Sequence, residues 1–216
     1  AYAITREAAG KIFVVKVGAV PGGLLPESLD ALVDVAFQYG AQMIGIEKNF
    51  GNGALSSVIT PKLHSKAREL DRNPVGIEDI WESGQKELRI IDVLEPIMAN
   101  GRLIFDEQVI DDDWDECQKY PIQDRQVFSL FYQMARITRD RNCLIHDDRL
   151  DALAAAVRFF SVSLAKDEER EKNKAKQDAY NKMVANPLGM PSGSRNAGML
   201  PGKMPKLSPL QPRRRF

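Results

Sequence analysis

The stretch HDDRLDALAAAV, from His146 to Val157, carries three aspartates, Asp147, Asp148 and Asp151, at the start of a predicted long helix. Spacings of three and four residues put Asp151 one turn from both Asp148 and Asp147, on one side of that helix. Leu150, Leu153, Ala154, Val157, Phe160 and Leu164 form an apolar stripe that points elsewhere, toward a core. Clustered carboxylates at a helix tip can hold divalent metal ions, whose hard charge prefers oxygen donors. Aspartates also favour first turns, where they satisfy free N–H groups and suit the helix dipole. Spacing alone leaves both readings open.

A further carboxylate lies at the end of a predicted strand. AQMIGIEKN, Ala41 to Asn49, reads as an apolar strand buried on both faces, closing on Glu47 before the sharp turn FGNG, Phe50 to Gly53. Open α/β sheets place ligand sites at the carboxyl ends of their strands. A strand-terminal Glu that merely reaches solvent is the competing reading. Lys48 follows Glu47, Arg149 lies among the aspartates, and Lys86 and Arg89 stand near the front of a predicted helix; all four could contact phosphates, although a solvated helix face is the commoner reading of the last two. His64 has no second His or Cys at ligand spacing, and Cys117 and Cys143 make neither a disulfide framework nor a zinc motif. The block Asp111 to Asp113 reads as part of a solvated acidic loop over 106–116.

The elements that must position these groups follow in order. Ala1–Glu7 and Lys11–Val20 read as strands of a hairpin turning at Ala9-Gly10. Periodicity predicts helices over Pro26–Tyr39, over 54–73 with an interruption at Pro61, over Gln85–Met98 and over Asp124–Arg139. Short strands are predicted at Val75–Trp81 and Arg102–Phe105. The helix that opens with the aspartates turns almost wholly charged after Leu164. From Asn186 the sequence is rich in Pro, Gly, Met and basic residues, a composition that builds no core.

The chain has 216 residues, with 30 basic and 30 acidic side chains. The neutral total hides a division. Residues 1–165 hold 18 Lys/Arg against 25 Asp/Glu, a net of −7, and 166–216 hold 12 against 5, a net of +7. Three regions are expected: a globule over 1–165, a charged helical extension over 166–185 and a flexible basic tail over 186–216. No apolar run reaches the roughly 18 residues that span a bilayer, and no signal peptide is recognisable.

IGIEKNFGNG at Ile44–Gly53 and HDDRLDALAAAV together resemble the ribonuclease H-like nuclease domain of phage terminase large subunits, in particular those of short-tailed phages. QKELRIIDVLEPIMANGRLIF, Gln85–Phe105, adds a helix, a glycine stop and a short strand to the likeness, which covers roughly residues 1–165. The resemblance implies an α/β, ribonuclease H-like fold with a central mixed sheet flanked by helices. It implies a two-metal endodeoxyribonuclease using Mg²⁺ or Mn²⁺, with Glu47, Asp148 and Asp151 as catalytic metal ligands and Asp147 as an auxiliary. Its substrate would be concatemeric double-stranded DNA, cut when genome packaging begins and ends. The implied partners are the portal or procapsid, the terminase small subunit and further copies in a ring, in the host cytoplasm and without a membrane.

The family's first-strand Asp is absent. Its strand is expected upstream of Ala1, together with the motor domain that uses ATP, so the fragment alone is expected to be inactive. Two other readings attach to the same residues. One is a docking and DNA-guiding module that engages the portal through its tail. The other is a Holliday-junction resolvase of the same fold, which shares the DxxDAL pattern.

Overall fold

The computed structural model describes residues 1–48 and 53–185, apart from the side chains of 162–172 and of 185. The basic tail expected over 186–216 lies outside the described residues. The chain divides into two units, Ala1–Glu171 and Lys172–Phe216. Strands β1 (Tyr2–Ala8) and β2 (Lys11–Gly18) form the expected antiparallel hairpin. Its two turn residues, Ala9 and Gly10, sit at φ +51° and +72°. Positive φ at both positions gives the turn whose twist matches paired strands, and Gly10 adopts it without a Cβ penalty.

Helix α1 (Pro26–Gln38) leads to β3 (Met43–Glu47), α2 (Ala54–Glu69) and β4 (Gly76–Ile80). Then come α3 (Lys86–Ala99) and β5 (Leu103–Phe105). Four helices complete the order: α4 (Glu107–Cys117), α5 (Arg125–Phe128), α6 (Leu130–Arg136) and α7 (Asp148–Ala185). Among the described residues the sheet lies in two pieces. One is mixed, in the order β1-β2-β5, with β5 parallel to β2; the other pairs β3 with β4 in parallel.

Each piece has its own core. Around β2, Ile12, Val14 and Val17 pack with Ile90, Leu94 and Ile97 of α3 and with Leu150, Leu153, Ala154 and Val157 of α7. The apolar stripe of α7 thus faces the sheet, and Leu150, Leu153 and Val157 are wholly buried. Each such side chain contributes about 1.5–3 kcal/mol by leaving water. That burial fixes the rotation of the helix, and with it the direction of its aspartates. The second core joins Val33 and Phe37 of α1, Ile46 of β3, and Ile59, Leu63 and Ala67 of α2.

Four expectations need correction. Residues 106–116 are largely helix rather than loop. Asp106 caps α4 by accepting from Gln108 N at 3.1 Å, and Val109, Asp113 and Cys117 bury one face at intervals of four. The run of charge masked that period. Helix α2 continues through Pro61, which stands exposed inside it. The helix expected over Asp124–Arg139 breaks at Ser129, whose Oγ accepts from Tyr132 N at 3.3 Å and starts α6 as a cap. Strand β3 is covered on one face only: Ile46 is buried, whereas Met43, Gly45 and Glu47 are exposed.

Candidate functional site

The three aspartates occupy different surroundings. Asp147, just before α7, accepts from Lys86 Nζ at 2.8 Å. The same ammonium lies 3.2 Å from Asp151, whose other oxygen accepts from Arg89 Nη2 at 2.9 Å. Arg89 reaches in turn to Glu82 at 2.9 Å, and Arg158 meets Glu82 at 2.8 Å. Partial burial of Lys86 disfavours its charge. The hydrogen bond to Asp147 and the fields of Asp151 and Asp147 outweigh this and leave its pKa raised. Lys86 and Arg89, expected at phosphates, are here the clamps that hold two of the expected metal ligands.

Asp148 differs from both. Its side chain is exposed, and among the described residues no hydrogen bond or ion pair engages it. It is not needed to cap α7 at the next turn, because Leu150 N donates to Gln133 Oε1 at 3.1 Å. Gln133 is 1% exposed and also donates to Val127 O at 3.0 Å, so α6 anchors the start of α7. Asp148 opens onto a small cavity shared with Ala1, Gln133 and His146. One wall is a stack of rings, Tyr120 on Phe128 at 3.8 Å and Phe128 on His146 at 4.1 Å.

Arg149 corrects its expectation as a DNA contact. Only 3% exposed, it directs Nη1 to Asp113 at 2.6 Å and Nη2 to Glu116 at 2.9 Å. Asp113 also accepts from Leu130 N at 2.9 Å and from Ser129 Oγ at 2.6 Å. A buried guanidinium with both arms engaged holds α4, α6 and α7 together and has nothing to offer a phosphate.

Glu47 is exposed at the carboxyl end of β3, where it pairs in register with Ile80. Lys48 follows it, 3.3 Å from Asp79 and over the ring of Trp81 at 5.7 Å. Hydrogen bonds from Ser56 and then from Lys48 hold the Asp79 carboxyl below its ordinary pKa. Of the FGNG turn, Phe50 to Asn52 lie outside the described residues, and Gly53 stands at φ +83°. Among the described residues, no group of three or more His, Cys, Asp or Glu side chains converges as metal ligands would.

One residue that sequence reasoning passed over positions the site. Glu87, in the first turn of α3, accepts from Asn142 N at 2.6 Å and so ties the loop before α7 to the helix bearing Lys86 and Arg89. Its own backbone N–H and that of Asn142 lower its pKa from the ordinary 4.5. A carboxyl depressed in the folded state stabilises above its unfolded pKa and stops doing so as pH falls through the folded value. Glu87→Gln should therefore melt below the parent at pH 7, with the gap closing as pH drops below about 4. Thermal melts across pH check this; a gap that stays constant into acid would refute it.

The comparisons with known proteins agree with this architecture. Residues 1–103 match the family described as Terminase Bacteriophage T7, Ribonuclease H-like domain. The terminase large subunit of Enterobacteria phage T3 is 32% identical over 166 residues, covering 77% of this chain and 27% of that protein. The chain thus spans about a quarter of the length of this relative. The mixed sheet and flanking helices accord with a ribonuclease H-like fold, and the chain is similar over residues 1–103 to the terminase ribonuclease H-like domain and over 166 residues to part of a phage terminase large subunit.

Proposed function

We propose that this chain is the DNA-cutting module of a packaging motor, a metal-dependent endonuclease acting on concatemeric double-stranded DNA. The observation that carries the reading is the state of Asp148. It is exposed and unpaired among the described residues, whereas Asp147 and Asp151, one and three positions away, are ion-paired with Lys86 and Arg89. The donors suit Mg²⁺ or Mn²⁺ in kind, being carboxylate oxygens without thiolate or imidazole. Among the described residues no three of them converge as metal ligands would.

A divalent ion there would stabilise charge on the attacking and leaving oxygens of a phosphodiester. Asp148 and Glu47 would hold such ions, and Asp147 and Asp151 would join on releasing Lys86 and Arg89. Those two cations, once released, would be placed to meet phosphate. A further carboxylate would complete the set; Ala1 and Asp148 line the same small cavity. Cutting at the start and end of packaging, the ATP-driven motor, the ring of copies, contacts with portal and small subunit, and action in the host cytoplasm belong to the same proposal.

The test uses a polypeptide extended upstream of Ala1. With Mg²⁺ or Mn²⁺ it is expected to convert supercoiled plasmid to open-circular and linear forms, and removal of metal with EDTA should stop the conversion. Cutting that continues in EDTA would sink the metal-dependent reading.

A further inference from the structure

Strands β3 and β4 end level with one another: Glu47 lies opposite Ile80, and Lys48 N donates to Ile80 O at 2.9 Å. Trp81 is therefore the first residue past the end of β4, next to the end of β3 that presents Glu47. Its side chain is 65% exposed, although an indole has much to gain from burial. The neighbouring ammonium of Lys48 is fixed from two sides, 5.7 Å from the ring centre and 3.3 Å from Asp79, which Ser56 also engages. A cation so placed is attracted to the face of the ring.

Charge decides what such a ring could receive. Asp79 compensates Lys48, and Glu47 beside it has no ion-pair partner among the described residues. The surroundings of Trp81 are thus neutral to acidic, which suits an uncharged aromatic group better than a phosphate. Paired bases inside a duplex offer only their edges to a protein, whereas an unpaired base offers a flat face.

We propose that Trp81 is a base-stacking residue, taking the face of an unpaired or frayed nucleobase beside Glu47 at the ends of β3 and β4. The assignment rests on the DNA-cutting reading and adds a specificity to it: DNA with a displaced base is preferred over a perfect duplex.

The test uses the full chain with Ca²⁺ and two DNA probes, a duplex with one bulged 2-aminopurine and the same base fully paired. The bulged probe is expected to bind about tenfold more tightly, with its fluorescence quenched on binding. Trp81→Ala should abolish both the preference and the quenching, and Trp81→Phe should keep part of each. Trp114→Ala, at the other tryptophan, 69% exposed on α4, should leave both intact. If Trp81→Ala still prefers and quenches the bulged probe, or if the parent binds both probes equally, stacking is refuted and the DNA-cutting reading stands. If the parent binds neither probe and the extended polypeptide cuts no plasmid, both are overturned.

Discussion

Asp148→Asn, placed in the upstream-extended polypeptide, is expected to lower Mg²⁺-dependent plasmid cutting by about a thousandfold, the equivalent of roughly 4 kcal/mol of transition-state stabilisation. The substitution keeps the shape of the side chain and removes its charge. Because Asp148 is exposed and meets no partner among the described residues, the melting temperature should hardly move. Asp151→Asn provides the contrast. It removes the carboxylate that meets both Arg89 and Lys86, so it should lower stability as well as activity. Cutting rates and thermal melts of the two variants separate a metal ligand from a structural anchor. An Asp148→Asn protein that cuts at the parent rate would remove Asp148 from the site.

The difference between these aspartates was not legible in their spacing. A helical wheel puts Asp147, Asp148 and Asp151 near one another, and it is silent on what the neighbouring helix offers. Lys86 and Arg89 stand three residues apart on α3, so they present their charges together to Asp147 and Asp151. Asp148 is left outside that clamp. The hairpin, the strand ending at Glu47 and the apolar stripe of α7 were legible because each rests on local periodicity or turn chemistry. Helix α4 was not, since three consecutive aspartates look solvated until Asp113 is seen to meet a buried arginine 36 positions away. The break at Ser129 depends on that same distant carboxylate. Trp81 gave no sequence signal either, because an aromatic residue at a strand end is ordinarily core.

Arg149→Ala should destabilise the protein by about 3–5 kcal/mol, because it leaves the carboxylate of Asp113 buried without its counter-charge. For a chain of this size, that corresponds to a fall in melting temperature of about 10 °C. Asp113→Asn should also be costly, since one of its oxygens serves both Leu130 N and Arg149 and the other takes the hydroxyl of Ser129. The two residues form one network, so the double substitution should cost less than the sum of the singles. Urea denaturation of the four proteins of this cycle measures the coupling. A surface phosphate contact would behave in the opposite way: Arg149→Ala would leave stability within about 0.5 kcal/mol of the parent and weaken DNA binding. That outcome would overturn the structural role assigned to Arg149 and return it to the DNA-facing surface. The expected outcome makes the residue between two candidate site aspartates, Asp148 and Asp151, the anchor that fixes the start of α7 against α4. The direction of Asp148 is then a consequence of burying its neighbour.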